Sequence, residues 1–251
     1  MSAVARSGAA LTVLLLLAGC GSSPSRRGPF DYGPYVASDP RSVVVAPVVG
    51  TVAGAEIERE FLTTITQPLA ERGYYVFPVR MSKEFAAQAG FTGRGPSGGF
   101  EGYSEEGAAE LAALFGADSV LFVRIEQWDT RSEAQLRVDP PETTTVAIHY
   151  LLANARGQQL WGAEQQIAYT EAGSRDWLSA IFRGLWKLMT GTFMTAEQRQ
   201  TQLAREANRT AIEGQKHKVG RRWYKVDPML VGPYHVGYER DRARRRGAKG
   251  P

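Results

Sequence analysis

Two β-branched runs bracket a segment of helical period. Residues 42–47 run Ser42, Val43, Val44, Val45, Ala46, Pro47 with no charge, and residues 74–79 run Tyr74, Tyr75, Val76, Phe77, Pro78, Val79. Between them Ile57, Phe61, Ile65 and Leu69 recur at steps of four. Apolar runs on either side of a 3.6-period stretch predict a βαβ unit, two parallel strands with a helix laid across them. Pro68 falls inside the helical stretch, residues 55–72. Its missing N–H and its clash with the preceding turn predict a kink or restart near Thr66. Gly73 is placed to end the helix.

Downstream the period changes several times. Residues 81–89 read as a short helix. Residues 90–103 hold Gly90, Gly93, Gly95, Gly98, Gly99 and Gly102 at a spacing that fits neither phosphate-binding consensus, which makes them a surface loop. Ser104 is placed as an N-cap, with Glu105 and Glu106 at the positive end of a helix running to Phe115. Leu111, Leu114 and Phe115 are expected to face inward, and Gly116 to end the helix. Residues 119–125 are apolar on both faces at their start and predict a central third strand, parallel to the first by the right-handed crossover rule. The polar stretch 131–141, ending in Pro140 and Pro141, reads as a connection. Residues 143–153 alternate, with Thr144, Val146, Ile148, Tyr150 and Leu152 on one face. A turn at 154–157 joins them to a strand at 158–169, an antiparallel hairpin. The expected fold class is α/β: a mixed β-sheet, parallel βαβ start plus antiparallel hairpin, flanked by helices.

A helix at 175–192 has one narrow polar stripe of Asp176, Ser179, Arg183, Lys187 and Thr190. A single sheet face covers only part of so apolar a helix. A second surface must cover the rest: the following helix at 195–213, a partner protein or the lipid surface. Trp177, Ile181, Phe182, Trp186 and Met189 are the candidate partner surface. The tail from 214 carries Trp223, Tyr224, Met229, Leu230, Val231, Tyr234 and Tyr238, which predict docking of its first half. Residues 240–251 lack apolar anchors and read as a basic disordered tail.

The front of the chain sets its address. Arg6 followed by an apolar run at 11–17 is the pattern of an export signal, and the run is short of the ~20 residues that span a membrane. It closes on Leu17, Ala18, Gly19 and Cys20, and Cys20 is the single cysteine of the chain. This resembles a bacterial lipobox, in which the cysteine is acylated and becomes the mature N-terminus. Residues 1–19 are then a lipoprotein signal peptide. Residues 20–40, rich in Gly, Ser and Pro, are an acylated tether. Residues 41–239 form one α/β domain. Each buried CH₂ contributes about 0.8 kcal/mol, so several acyl chains make a lasting anchor. Gly21 stands where an Asp would mark inner-membrane retention. By similarity to known sorting behaviour this points to the periplasmic face of the outer membrane.

Charge sharpens the division. The net charge of +4 over 251 residues hides a local +8 from residue 215 onward, against −4 for the remainder. Behind an export signal such a basic tail meets lipopolysaccharide, lipid head groups or wall polymer; nucleic acid is not an expected partner. One cysteine excludes an internal disulfide. His149, His217 and His235 lie far apart in sequence, with no paired-cysteine or His-Glu-x-x-His spacing, so no metal, cofactor or catalytic residue is expected.

Several stretches together resemble the DUF799, or GNA1162-like, family of bacterial lipoproteins. They are residues 40–47, 66–79 and 114–118, extended by Gly157 to Trp161 and Gly232 to His235. The segment from Pro68 to Val79 is the most specific of them. The family's first strand usually leads into Pro-Pro-x-Asn, whereas this chain has Pro47, Val48, Val49 and Gly50. The resemblance implies an α/β domain similar to the N-terminal domain of TolB and the periplasmic part of the curli secretion lipoprotein CsgG. It implies envelope localisation, with a CsgG-like lipoprotein or a homo-oligomer as partner, and no known catalytic residues. The expected function is a non-enzymatic, outer-membrane-anchored lipoprotein that assists or scaffolds a secretion or assembly complex. The alternative is a cell-wall or lipopolysaccharide binding module that uses the basic tail.

Overall fold

The computed structural model describes residues 31–52, 54–91, 103–132, 142–171, 194–214, 216–219, 222–225 and 227–247. The elements below belong to the unit that begins at Tyr32. The export signal, Cys20, the first part of the tether, most of the glycine-dense loop and the apolar stretch around Trp177 and Met189 lie outside the described residues.

A short helix, α1 (Gly33–Ser38), leads into β1 (Ser42–Val45). All four residues of β1 are buried, as a strand covered on both faces requires. α2 (Ala55–Glu71) follows, with Phe61, Ile65 and Leu69 fully buried. The restart expected near Thr66 does not occur: residues 55–71 are one helix. Pro68 sits in the last turn, where it withdraws a single donor, and its own carbonyl still accepts from the Arg72 N–H at 3.0 Å. Gly73, at φ +91°, then closes the helix, with its N–H on Ala70 O and the Tyr74 N–H on Leu69 O.

β2 is shorter than the apolar run predicts, Tyr75–Val76, because Pro78 turns the chain into α3 (Val79–Gln88). α4 (Glu105–Phe115) begins at the expected cap, where Ser104 Oγ accepts from the Gly107 N–H, and ends at Gly116 with φ +62°. β3 (Ser119–Ser132) is twice the expected length. A bulge between Ile125 and Gln127 carries it as far as Arg131 and Ser132, the first two residues of the expected connection; residues 133–141 lie outside the described residues. β4 (Glu142–Asn154) and β5 (Gln159–Glu171) form the hairpin.

The sheet order is β2-β1-β3-β4-β5. β1 is parallel to β2 and to β3, while β3, β4 and β5 are mutually antiparallel, so the sheet is mixed. On one face α3 and α4 seat Ala86, Ala108, Leu111 and Ala112 against Val44, Val120, Phe122 and Leu151. The other face is packed by α5 (Ala196–Glu213), which a Thr195–Gln198 capping box starts and Gly214 stops. Its buried Ala204, Ala207 and Ala211 let the helix approach closely. A buried polar relay ties this layer together. The Tyr150 hydroxyl donates to Asn208 Oδ1 at 2.7 Å, Asn208 Nδ2 donates to Thr64 Oγ1 at 2.8 Å, and Thr64 Oγ1 donates to Phe61 O at 2.6 Å.

After α5 comes a small hairpin of β6 (Lys216–Val219) and β7 (Arg222–Lys225). Residues 227–238 then run back along α1 and the end of α2. Trp161 Nε1 donates to Asp227 O, the Tyr32 hydroxyl to Pro228 O, Arg72 Nε to Met229 O and the Tyr74 hydroxyl to Leu230 O. Gly73 and Gly232 make this approach possible: a Cβ on Gly73 would lie 2.5 Å from His235, and one on Gly232 would lie 2.3 Å from Gly73 O. The disordered tail expected from residue 240 is corrected through Gly247, because these residues form α6 (Tyr238–Gly247). Its first turn is anchored where the Tyr238 hydroxyl donates to both Asp39 carboxylate oxygens and Arg242 lies 3.6 Å from the same carboxylate.

Candidate interaction surface

The titratable residues do not converge on a reacting atom among the described residues. His149 is part-exposed in mid-strand, with Nε2 3.5 Å from Glu164 Oε1 across the β4–β5 pair. His217 is in β6, and His235 Nδ1 accepts the Gly237 N–H in the C-terminal segment. Arg124 with Glu126 and Arg131 with Asp129 complete a polar sheet face around His149. Glu56, Glu60 and Glu197 bring carboxylate oxygens within 4.8 Å of one another where α2 meets the start of α5. Burial first, then the charges of Glu197 and Glu56, push the Glu60 carboxyl above its ordinary value; Arg59 and a hydrogen bond with Trp128 pull it back. Burial alone pushes the Tyr150 phenol well up, which keeps it a neutral donor in the buried relay.

The feature that stands apart is apolar. At the β2 edge, Tyr75 and Phe77 leave the sheet just before Pro78 redirects the chain. Met81 and Phe85, one turn apart on α3, point outward, and Leu114 and Phe115 close α4 beside them. The rings form a connected path: Tyr75 to Phe77 at 5.1 Å between centroids, Phe77 to Phe115 at 5.9 Å, Phe115 to Phe85 at 6.5 Å. Tyr75, Met81, Phe85 and Leu114 are each about half exposed, at 52, 53, 48 and 47%. The inward orientation expected for Leu114 is therefore corrected. Leu111 and Ala112 already fill the buried side of α4, and Leu114, well round the helix from Ala112 and Ala108, falls on its solvent-facing flank. Clustered large apolar side chains in water mark interaction sites, and aromatic anchors carry most of the energy at such sites. The patch offers contact area and shape, with no acid, base or metal ligand of its own.

Sequence reasoning placed the partner surface at Trp177, Ile181, Phe182, Trp186 and Met189, and lipidation at Cys20; both lie outside the described residues. It missed the aromatic edge. The available signal was the i, i+4 pair of Met81 and Phe85 on a helix too short to bury two faces.

The architecture defines an α/β domain with a mixed sheet. The chain belongs to the family described as "Putative lipoprotein GNA1162-like", whose model matches residues 30–219. It is 27% identical over 157 residues to the lipoprotein NMB1124/NMB1162 of Neisseria meningitidis serogroup B, covering 62% of this chain and 67% of that one. Among solved structures it is similar to lipoprotein GNA1162 from Neisseria meningitidis, with 23% identity and TM-score 0.42 over 61% of this chain and all of that one. It is also similar to the LpoB C-terminal domain from Salmonella enterica, with 17% identity and TM-score 0.31 over 55% of this chain and 98% of that one. No helix among the described residues is long and apolar enough to cross a membrane.

Proposed function

We propose that this lipoprotein is acylated at Cys20, held at the periplasmic face of the outer membrane, and acts by binding rather than catalysis. In this reading it assists or scaffolds an envelope secretion or assembly complex, with a lipoprotein of CsgG-like architecture as the kind of partner the family resemblance implies. The observation that carries the reading is the aromatic edge, because Tyr75, Met81, Phe85 and Leu114 expose apolar area that a partner would bury. Family membership supports the anchor.

The test has two arms. Labelled palmitate should enter the wild-type chain and not Cys20→Ser. Affinity capture from solubilised membranes should recover a defined envelope protein with the wild type and lose it with Tyr75→Ser/Phe85→Ser. Capture that is equal for both chains, or that recovers no protein, would overturn the scaffold reading.

A further inference from the structure

The sheet has two edges, and they are finished differently. β2 offers two residues and is shielded by the turn into α3. β5 offers thirteen, and among the described residues only β4 pairs with it. α1 and Asp227 lie against its start at Trp161, and among the described residues no strand pairs with the outer edge from Gly162 to Glu171. Strand edges of this length are ordinarily blunted by Lys, Pro or a bulge. Between Gly162 and Thr170 there is no Lys, Arg or Pro, and one charge, Glu164. The nearest irregularity, opposite Leu152 and Ala153, lies before this stretch.

We propose that a second copy of this chain pairs with the outer edge of β5, antiparallel, about a two-fold axis at Ile167. The strand pattern is self-complementary about that residue. Alternation puts Glu164, Gln166, Ala168 and Thr170 on one face, and Ala163, Gln165, Ile167, Tyr169 and Glu171 on the other. With the axis at Ile167, Glu164 meets Thr170, so its carboxylate does not meet its like. Ile167 meets itself. Gln165 meets Tyr169, which is half exposed in the single chain. Gln165 is 2% exposed, and its Nε2 has no acceptor among the described residues. Tyr169 of the second copy, directly across at roughly 5 Å between Cβ atoms, brings a phenol oxygen to that side. Nine residues from each copy would join along about 30 Å of edge, with main-chain hydrogen bonds supplying affinity and alternate side chains supplying register. The pairing uses neither the lipid anchor nor the aromatic edge, so it stands apart from the proposed function.

The test uses the full chain carrying Cys20→Ser, so that an introduced thiol is the only one. Single cysteines are placed at Ala163, Gln165, Ile167, Tyr169 and Glu171, and disulfide-linked dimer is scored without reductant. The yield should peak at Ile167→Cys and vanish at Ala163→Cys and Glu171→Cys, because Cα atoms more than ~7 Å apart cannot be bridged. In sedimentation, Ala168→Lys should weaken the dimer at least ~10-fold, since the two lysines come close across the axis. Adding Gln166→Glu, whose position opposes 168, should restore it. Circular dichroism of each variant confirms the fold. A wild-type chain that is monomeric at about 50 µM overturns the proposal, whether or not another protein's strand occupies the edge. A dimer indifferent to both Ala168→Lys and the cysteine position also overturns it.

Discussion

The two ends of the sheet solve the same physical problem in opposite ways. At the parallel end, β1 is sealed between helices, and β2 is cut short by Pro78, which leaves rings rather than backbone facing water. At the antiparallel end, three long strands run past the helices, and the last of them shows backbone rather than rings. One end can be met only by shape and apolar area. The other can be met by hydrogen bonds in register. The two proposed partners would therefore not compete for one surface.

The contrast can be broken by matched truncations. Leu152→Ala removes a fully buried side chain where β4 lies under α5, and should cost about 2–5 kcal/mol in urea unfolding. Ile167→Ala, half-buried on the free edge, should cost less than ~1 kcal/mol by the same measurement. Equal costs would mean that the extension is as tightly packed as the root. Tyr150→Phe keeps the ring and removes the hydroxyl that bonds Asn208. It should cost about 1–3 kcal/mol, because the Asn208 carbonyl is left buried without a donor.

The aromatic edge should behave in the reverse sense. Tyr75→Ser and Phe85→Ser should change unfolding free energy by under ~1 kcal/mol, since these side chains are half solvated already, yet lower partner capture about 10-fold. The smallest effect belongs to Glu60. Its carboxyl binds a proton more tightly in the folded chain than in the unfolded one, so stability falls as pH rises through the interval above its ordinary value. Glu60→Gln should therefore gain a few tenths of a kcal/mol near pH 7, solvent screening having trimmed the repulsion, and nothing at acid pH. Melting curves across pH 4 to 7 in each chain would show the flattened slope.

Much of the fold was legible because the buried elements obey one period each. Val43, Val44 and Val45, the Phe61–Leu69 stripe, the Ser104 cap and the alternation through Ile148 and Tyr150 carried strand type, helix type and pairing direction. The errors arose where one residue's local rule met a tertiary context. Pro68 was tolerated because it fell in a final turn. β3 ran on through Gln127, Asp129 and Arg131 because one sheet face there is open to water, so polar residues fit a strand. Leu114 looked like core because apolar residues on a short helix outnumber the positions facing inward. The aromatic edge was missed for the same reason, despite the Met81 and Phe85 pair: exposure of a Tyr or a Phe depends on what the rest of the chain leaves uncovered.

The contact between Asp39 and Tyr238 has one more consequence. The chain enters its domain and leaves it at the same place, with Tyr32, Tyr35 and Tyr74 interleaved with the carbonyls of residues 228–230. Entrance and exit are thus one cooperative latch. A protease that nicks the segment after Asp227 should loosen residues 32–39 as well.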